Sequence, residues 1–266
     1  MATRARRAPQ LPAVVRYALL VLAILVIWQL YVTLGHVPSL LVASPLDVAR
    51  AAWLDLKDGH LELATYNTLA NLVVGMVIGT LVGFALASFA VFSRIGQDLL
   101  TVLTAVFNPL PSIAILPLAM IWFGLQPKSI VFVVALATIW PVALNTDNGF
   151  RTISQTTQLA ARNLGLRGWR LVTGVLLPAA LPSIITGVKA AWAFGWRTVV
   201  AAELIFGVAG SAGGLGWYIN NARYYLNTSN IFAGLVMISV LGILVEGLFG
   251  FIERRTVVKW GMKRAA

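Results

Sequence analysis

Six long apolar runs, separated by short polar segments, dominate this chain of 266 residues. The runs cover roughly 14–35, 65–92, 99–123, 128–146, 178–206 and 231–252. Each is long enough to cross about 30 Å of hydrocarbon as an α-helix, some with length to spare for tilt. A segment surrounded by lipid must satisfy its backbone hydrogen bonds internally, so the expected fold is all-α: one polytopic membrane domain of about six spans. With 59% hydrophobic and 11% charged residues, a soluble globular class is excluded.

The formal net charge of +11 does not form a nucleic-acid stripe. Basic residues fall in the segments between spans, and unevenly. With an even number of spans both termini share a side, and that side holds Arg4, Arg6, Arg7, Arg16, Arg94, Arg151, Arg162, Arg167, Arg170 and the basic C-terminal tail. The opposite side holds only Arg50, Lys57, Lys128 and Arg223. The positive-inside rule then makes both termini cytoplasmic. The expected organisation is a basic tail at 1–13, a transmembrane domain at 14–252 and a basic tail at 253–266. The first apolar run is too long for the core of a signal peptide and lacks a small-residue cleavage site, so it reads as a retained span.

The absence of cysteine excludes disulfides, thiol catalysis and Cys-ligated metal. His36 and His60 are far apart and read as loop residues rather than ligands. No catalytic constellation appears. The loop Gly207-Val-Ala-Gly210-Ser-Ala-Gly213-Gly214-Leu-Gly216 lacks the Lys-Ser/Thr ending of a phosphate-binding loop, so it reads as an outer loop leading into a short helix over about 217–226.

Several local features suggest how the spans meet. Ser44 and Pro45 are an N-cap and first helical residue, and Leu46, Ala49, Trp53 and Leu56 recur at helical spacing. That pattern reads as a short amphipathic helix on the membrane surface or as a cover over the span ends. Gly75, Gly79 and Gly83 form a stripe of small residues on which another helix can approach closely. The third span contains Asn108, Pro109, Pro111 and Pro117. Proline inside a helix removes a hydrogen bond and kinks the chain, and freed carbonyls are tolerated only against protein or a water-filled cavity. A bent helix is expected there, either lining a pathway or bent for structural reasons alone.

The fifth span carries Lys189, Arg197 and Glu203, and the sixth carries Glu246. An intramembrane charge costs about 2.5–3.5 kcal/mol on insertion scales and points at a partner or a cavity. Arg197 and Glu203 lie six positions apart, on helix faces about 120° apart, so each needs a partner elsewhere. Three roles stay open for Arg197: an ion pair or gate, with Glu246 as one candidate partner; contact with an anionic substrate; or reach to the interface. Lys189 sits nearer the cytoplasmic end and can extend toward it.

The polar segment from 154 to 178 carries the most specific pattern. Ala160-Ala161, then Gly165, then Val175-Leu-Leu177-Pro178 is similar to the cytoplasmic signature of ABC-importer permeases, Glu-Ala-Ala, three residues, Gly, nine residues, Ile-x-Leu-Pro, with Leu159 in place of the acid. A short helix over 154–164, stopped by Gly165, and a second from about Trp169 are expected. The stretch Asn108 to Gly124, the Trp196-Arg197 and Ala201-Ala-Glu203 pattern, Gly214-Leu-Gly216 and the closing Glu253-Arg254-Arg255 resemble the nitrate, sulfonate, taurine and bicarbonate permease group.

The resemblance implies a type I importer fold in a bacterial inner membrane, a second permease copy, two ABC ATPase subunits holding ATP and magnesium, and a periplasmic or lipid-anchored substrate-binding protein. This chain has no Walker A motif and no cofactor or metal is expected in it. The coupling assignment falls on Ala160, Ala161, Arg162, Gly165, Leu177 and Pro178, within a region of about 154–177. The pathway or gate assignment falls on Asn108, Pro109, Pro111, Trp196, Arg197, Glu203 and Glu246. The cargo implied is a small anion, such as a sulfonate or taurine, nitrate, bicarbonate or an aromatic acid, although the group also includes carriers of thiamine-precursor pyrimidines. The rival reading is an ion-coupled carrier or channel working without an ATPase, although no half-to-half repeat supports it.

Overall fold

The computed structural model describes residues 12–206, 213–253, 255 and 256. The expectations for the extreme N-terminal tail, for residues 207–212, and for most of the C-terminal tail, including Arg254, lie outside the described residues. The described chain is helical, in the order α1 (Ala13–Leu34), α2 (Pro45–Lys57), α3 (His60–Phe92), α4 (Arg94–Phe107), a 3₁₀ turn (Ser112–Ile115), α5 (Leu116–Phe123), α6 (Pro127–Arg151), α7 (Gln155–Asn163), α8 (Gly168–Leu171), a π turn (Val172–Leu176), α9 (Leu177–Phe206), α10 (Leu215–Tyr224) and α11 (Thr228–Glu253). Among the described residues, five helical stretches are long and apolar enough to cross a membrane, and the α4–α5 pair makes a sixth if counted as one broken span. The second span begins earlier than expected: His60 is the first residue of α3 rather than a loop residue.

The core is the α3–α6–α9 triad. Gly75, Gly79 and Gly83 of α3 face successive turns of α6, running parallel to it. A Cβ on Gly79 would lie 2.6 Å from the Ala135 carbonyl oxygen, and one on Gly83 would lie 2.6 Å from that of Ile139. Backbone cannot retreat as a side-chain tip can, so the seam requires residues without Cβ. Helix α9 runs antiparallel to α6: Gly187 meets Asn145 and Pro141, while Gly195 meets Thr138 and Leu72. Buried Leu72, Val133, Val134, Trp192, Val199 and Ala202 fill the space between the three helices.

Around this core the other helices differ in how much they bury, from the mostly exposed α1 to the mostly buried α10. Helix α1 is exposed along nearly its whole apolar length and packs through Trp28, whose ring lies 5.4 Å from that of Phe232. Helix α2 is capped by Ser44, which accepts from the Asp47 N–H at 3.2 Å. Its inward face is Val48, Ala51 and Ala52, against the start of α11. Leu46, Trp53 and Leu56 point outward and are exposed, so α2 both covers the span ends and offers an apolar stripe to the surroundings.

The third span departs from a simple kink. Helix α4 ends at Phe107, and the axis turns by 85° before α5. Pro109 and Pro111 each lack the N–H that would continue α4, and Asn108, still helical with its N–H on the Thr104 carbonyl, is the last residue before the turn. Pro117 does no such work: it sits in the first turn of α5, where the missing N–H has no intrahelical partner to lose. The start of the fifth span is also more continuous than expected. Instead of a separate helix ended before Pro178, α8, the π turn and α9 form one helical rod from Gly168 to Phe206. The Leu177 N–H reaches the Val172 carbonyl, five residues back, and this wider turn relieves the clash that the Pro178 ring would make with the carbonyl of Gly174 in a regular helix.

Candidate functional site

Three groups of residues singled out in the sequence come to three different places. The first is α7 and its exit. Ser154 caps the helix, accepting from the Thr157 N–H at 3.1 Å. Gly165 closes it at φ +80°, with its N–H on the Arg162 carbonyl at 3.0 Å and the Leu166 N–H on the Ala161 carbonyl at 3.1 Å. Those two bonds are the Schellman pair, and they satisfy carbonyls that the helix end would leave open. Ala160, Ala161 and Val175 line one shallow groove of about 410 Å³ between α7 and the π turn. Residues fifteen positions apart thus share one groove, while Gly165, Leu177 and Pro178 of the same pattern do not line it. Leu159 and Leu164 are 57% and 82% exposed, and Arg162 is exposed beside them. Gln158, next to the missing acid, turns back to the Ile153 carbonyl at 3.3 Å.

The second place is the α4–α5 break. The chain between the two helices, Asn108 to Ile113, forms one wall of a cavity of about 390 Å³. Ala137, Trp140 and Pro141 of α6 and Phe194, Arg197, Thr198 and Ala201 of α9 form the rest. Trp140 stands at the middle of α6, so the cavity lies near half-height in the bundle. Its ring stacks on Phe107 with centroids 5.6 Å apart. The indole is 6% exposed and its N–H has no acceptor among the described residues. Arg197 takes part in none of the ion pairs found among the described residues.

The third place is a buried lock near the opposite end from α7. Glu203, 2% exposed, accepts from the Thr68 hydroxyl at 2.8 Å and from the Gly216 N–H at 3.1 Å. Thr68 in turn accepts from the Leu215 N–H at 2.7 Å. Gly214 lies directly on the carboxylate, where a Cβ would overlap it. This network ties the N-terminus of α10 to α3 and α9, and two orphan N–H groups of α10 find their partners there. Nearby, the Tyr218 hydroxyl donates to Asp55 of α2, which also accepts from Asn230 at 2.7 Å. Burial, and then the Asp55 carboxylate, push the Tyr218 phenol well above the usual tyrosine range, so it acts as a donor at any physiological pH.

The expected pathway residues thus separate. Asn108, Pro109, Pro111 and Arg197 share the cavity. Trp196 faces away from it, stacked on Trp192 at 5.5 Å. Glu203 belongs to the lock. Glu246 corrects the candidate pairing with Arg197: its carboxylate lies 2.5 Å from Lys189 Nζ, so Lys189 is an ion-pair partner across α9 and α11 rather than a free side chain reaching for the interface. Trp140 and Thr198 in the cavity, and Thr68 in the lock, were not singled out from sequence. Trp140 lies thirty-two residues from Asn108, and only the fold shows that they meet.

Comparison with known proteins follows the same outline. The family described as binding-protein-dependent transport system inner membrane component matches residues 75–258. The putative aliphatic sulfonates transport permease protein SsuC of Escherichia coli strain K12 is 32% identical over 235 residues, 87% of this chain and 86% of the relative. The nitrate import permease protein NrtB of Synechocystis is 28% identical over 92% of this chain and 90% of the relative. Among solved structures, a chain of the inward-facing MetNI methionine ABC transporter matches with a TM-score of 0.59 at 17% identity, over 72% of this chain and 93% of that one. That likeness concerns the fold alone. With a family match over most of the sequence and relatives aligned nearly end to end, this chain belongs to the binding-protein-dependent transport system inner membrane components, as a permease subunit of the ABC-importer class.

Proposed function

We propose that this chain forms half of the pathway of an ATP-driven importer for a small anion, as a homodimer served by two ABC ATPase subunits and a substrate-binding protein. Relatives named for sulfonates, taurine and nitrate support the cargo class. ATP and magnesium belong to the ATPases. The end of the bundle that carries α7 faces the cytoplasm, as the distribution of basic residues favours, and the substrate-binding protein docks at the end carrying α2 and α10.

The observation that carries the coupling role is the continuity of the rod beyond α7. Helix α7 presents Leu159 and Leu164 outward and closes its groove on Val175, which belongs to the same uninterrupted rod as Arg197. A displacement of α7 by an ATPase is delivered to the cavity about 30 Å along that rod. ATP binding shifts the permease only by its different affinity for the two states, so the small exposed face of α7 sets the strength of coupling. Pull-down of the tagged permease from membranes tests the reading. An ABC ATPase subunit is retained by the native chain and lost from a Leu159→Asp/Leu164→Asp variant that still inserts. Uptake without any retained ATPase overturns it.

A further inference from the structure

The cavity at the α4–α5 break combines features that a packing defect does not. It lies at mid-height in the bundle, where an unpaired charge is most costly. It holds Arg197, for which no carboxylate partner is found among the described residues. Its wall includes the Asn108–Ser112 backbone, freed from helical bonding by Pro109 and Pro111, and behind the wall lies the unsatisfied Trp140 N–H. Arg197 is exposed on this side of the bundle, and neither Glu203, which accepts from Thr68 and Gly216, nor Glu246, which pairs with Lys189, forms an ion pair with it.

Resting on the anion-importer reading above, we propose that this cavity is a substrate-selecting site in the permease itself, specific for an organic anion with an oxyanion head and a short apolar tail. Arg197 offers a planar fork of donors suited to a sulfonate or carboxylate head. Thr198 and Ser112 line the same space and supply hydroxyl donors. The tail lies against Phe194, Ile113 and Leu110, which leave the cavity more apolar than an inorganic ion needs. Its volume of about 390 Å³ suits a small solute. The permease thereby screens cargo by charge and by tail, independently of the binding protein.

The test is a thermal-shift titration of the purified permease in detergent at constant ionic strength, with sodium ethanesulfonate, sodium nitrate, sodium chloride and the neutral dimethyl sulfone as probes. Ethanesulfonate is expected to raise Tm saturably by ~2–4 °C, as a ligand of the folded state does. Arg197→Gln weakens the apparent Kd at least tenfold, Arg197→Lys weakens it less, and Phe194→Ala weakens ethanesulfonate binding while leaving nitrate unchanged. Arg50→Gln, which removes a cation far from the cavity, leaves the titration as it was. If Arg197→Gln fails to fold, Arg197→Lys and Phe194→Ala still decide the matter. Equal or tighter binding of nitrate or chloride, or a shift indifferent to Arg197 and Phe194, overturns the proposal. A permease that retains its ATPase yet shows no such binding sinks this site and leaves the importer reading intact. One that binds ethanesulfonate but retains no ATPase does the reverse.

Discussion

Glu203 on α9 and Thr68 on α3 are joined by a 2.8 Å hydrogen bond buried between three helices. Thr68 also receives the Leu215 N–H, so one hydroxyl holds α10 to the core. Thr68→Val keeps the shape and removes both bonds. A buried donor or acceptor left unsatisfied costs about 1–3 kcal/mol, and a carboxylate more. Thr68→Val is expected to lower the Tm of the purified permease in detergent by several degrees, while Thr68→Ser, which keeps the hydroxyl, stays near the native value. Equal losses in the two variants contradict the hydrogen-bond account.

The Lys189–Glu246 pair is a polar link between α9 and α11. Both side chains are partly exposed, so the pair is worth less than its 2.5 Å separation suggests. Its sign is nevertheless testable. Lys189→Glu and Glu246→Lys each place like charges together in the membrane and are expected to reduce the amount of folded permease; the double exchange restores it, with a coupling of at least about 0.5 kcal/mol in a double-mutant cycle. Combining Arg197→Glu with Glu246→Arg brings no such recovery, because Arg197 faces the cavity instead.

Most of the fold was legible because lipid leaves few choices. Run length gave the spans, and the Gly75–Gly79–Gly83 stripe announced a close helix seam. What stayed hidden was which helix fills that seam, since the stripe names one side only and Val134, Thr138 and Val142 carry no special mark in the sequence. Three prolines foretold a bend, but not that two of them would break the helix by 85° while the third fits a new first turn. The charges were visible, but their partners were not. Lys189 and Glu246 lie fifty-seven positions apart and meet only once α9 and α11 are antiparallel. The cavity was half legible: Asn108 stood out at the head of the proline-rich motif and Arg197 as a charge in lipid, whereas Trp140 looked like any apolar core residue.

The α3–α6 seam sets a steep size limit. At Gly79 an added Cβ meets backbone at the Ala135 carbonyl, so the helices themselves must part. Gly79→Leu is expected to abolish recovery of monodisperse permease, and Gly79→Ala to lower it. Gly247 of α11, where a Cβ would meet nothing within 4 Å in this chain, tolerates alanine with little change. Expression followed by size-exclusion chromatography in detergent compares the three. Normal recovery of Gly79→Leu contradicts the packing described for α3 and α6.

Gly165 gives the sharpest test of the coupling role, because its demand is conformational. At φ +80° a β-branched residue is strained by about 1–2 kcal/mol, whereas asparagine adopts that region readily. Gly165→Val therefore frays the exit of α7 and loosens the Schellman pair that links Ala161 to Leu166. The change lies outside the spans and opens onto empty space, so insertion and folding of the bundle are unaffected. In proteoliposomes carrying the whole importer, Gly165→Val is expected to cut transport per ATP hydrolysed several-fold, and Gly165→Asn to retain most of it. The contrast between the two separates backbone geometry from mere side-chain bulk, since both add atoms at the same point. Full coupling in Gly165→Val removes α7 from the drive train. Equal loss in both variants places the fault in steric obstruction of the ATPase rather than in the ending of the helix.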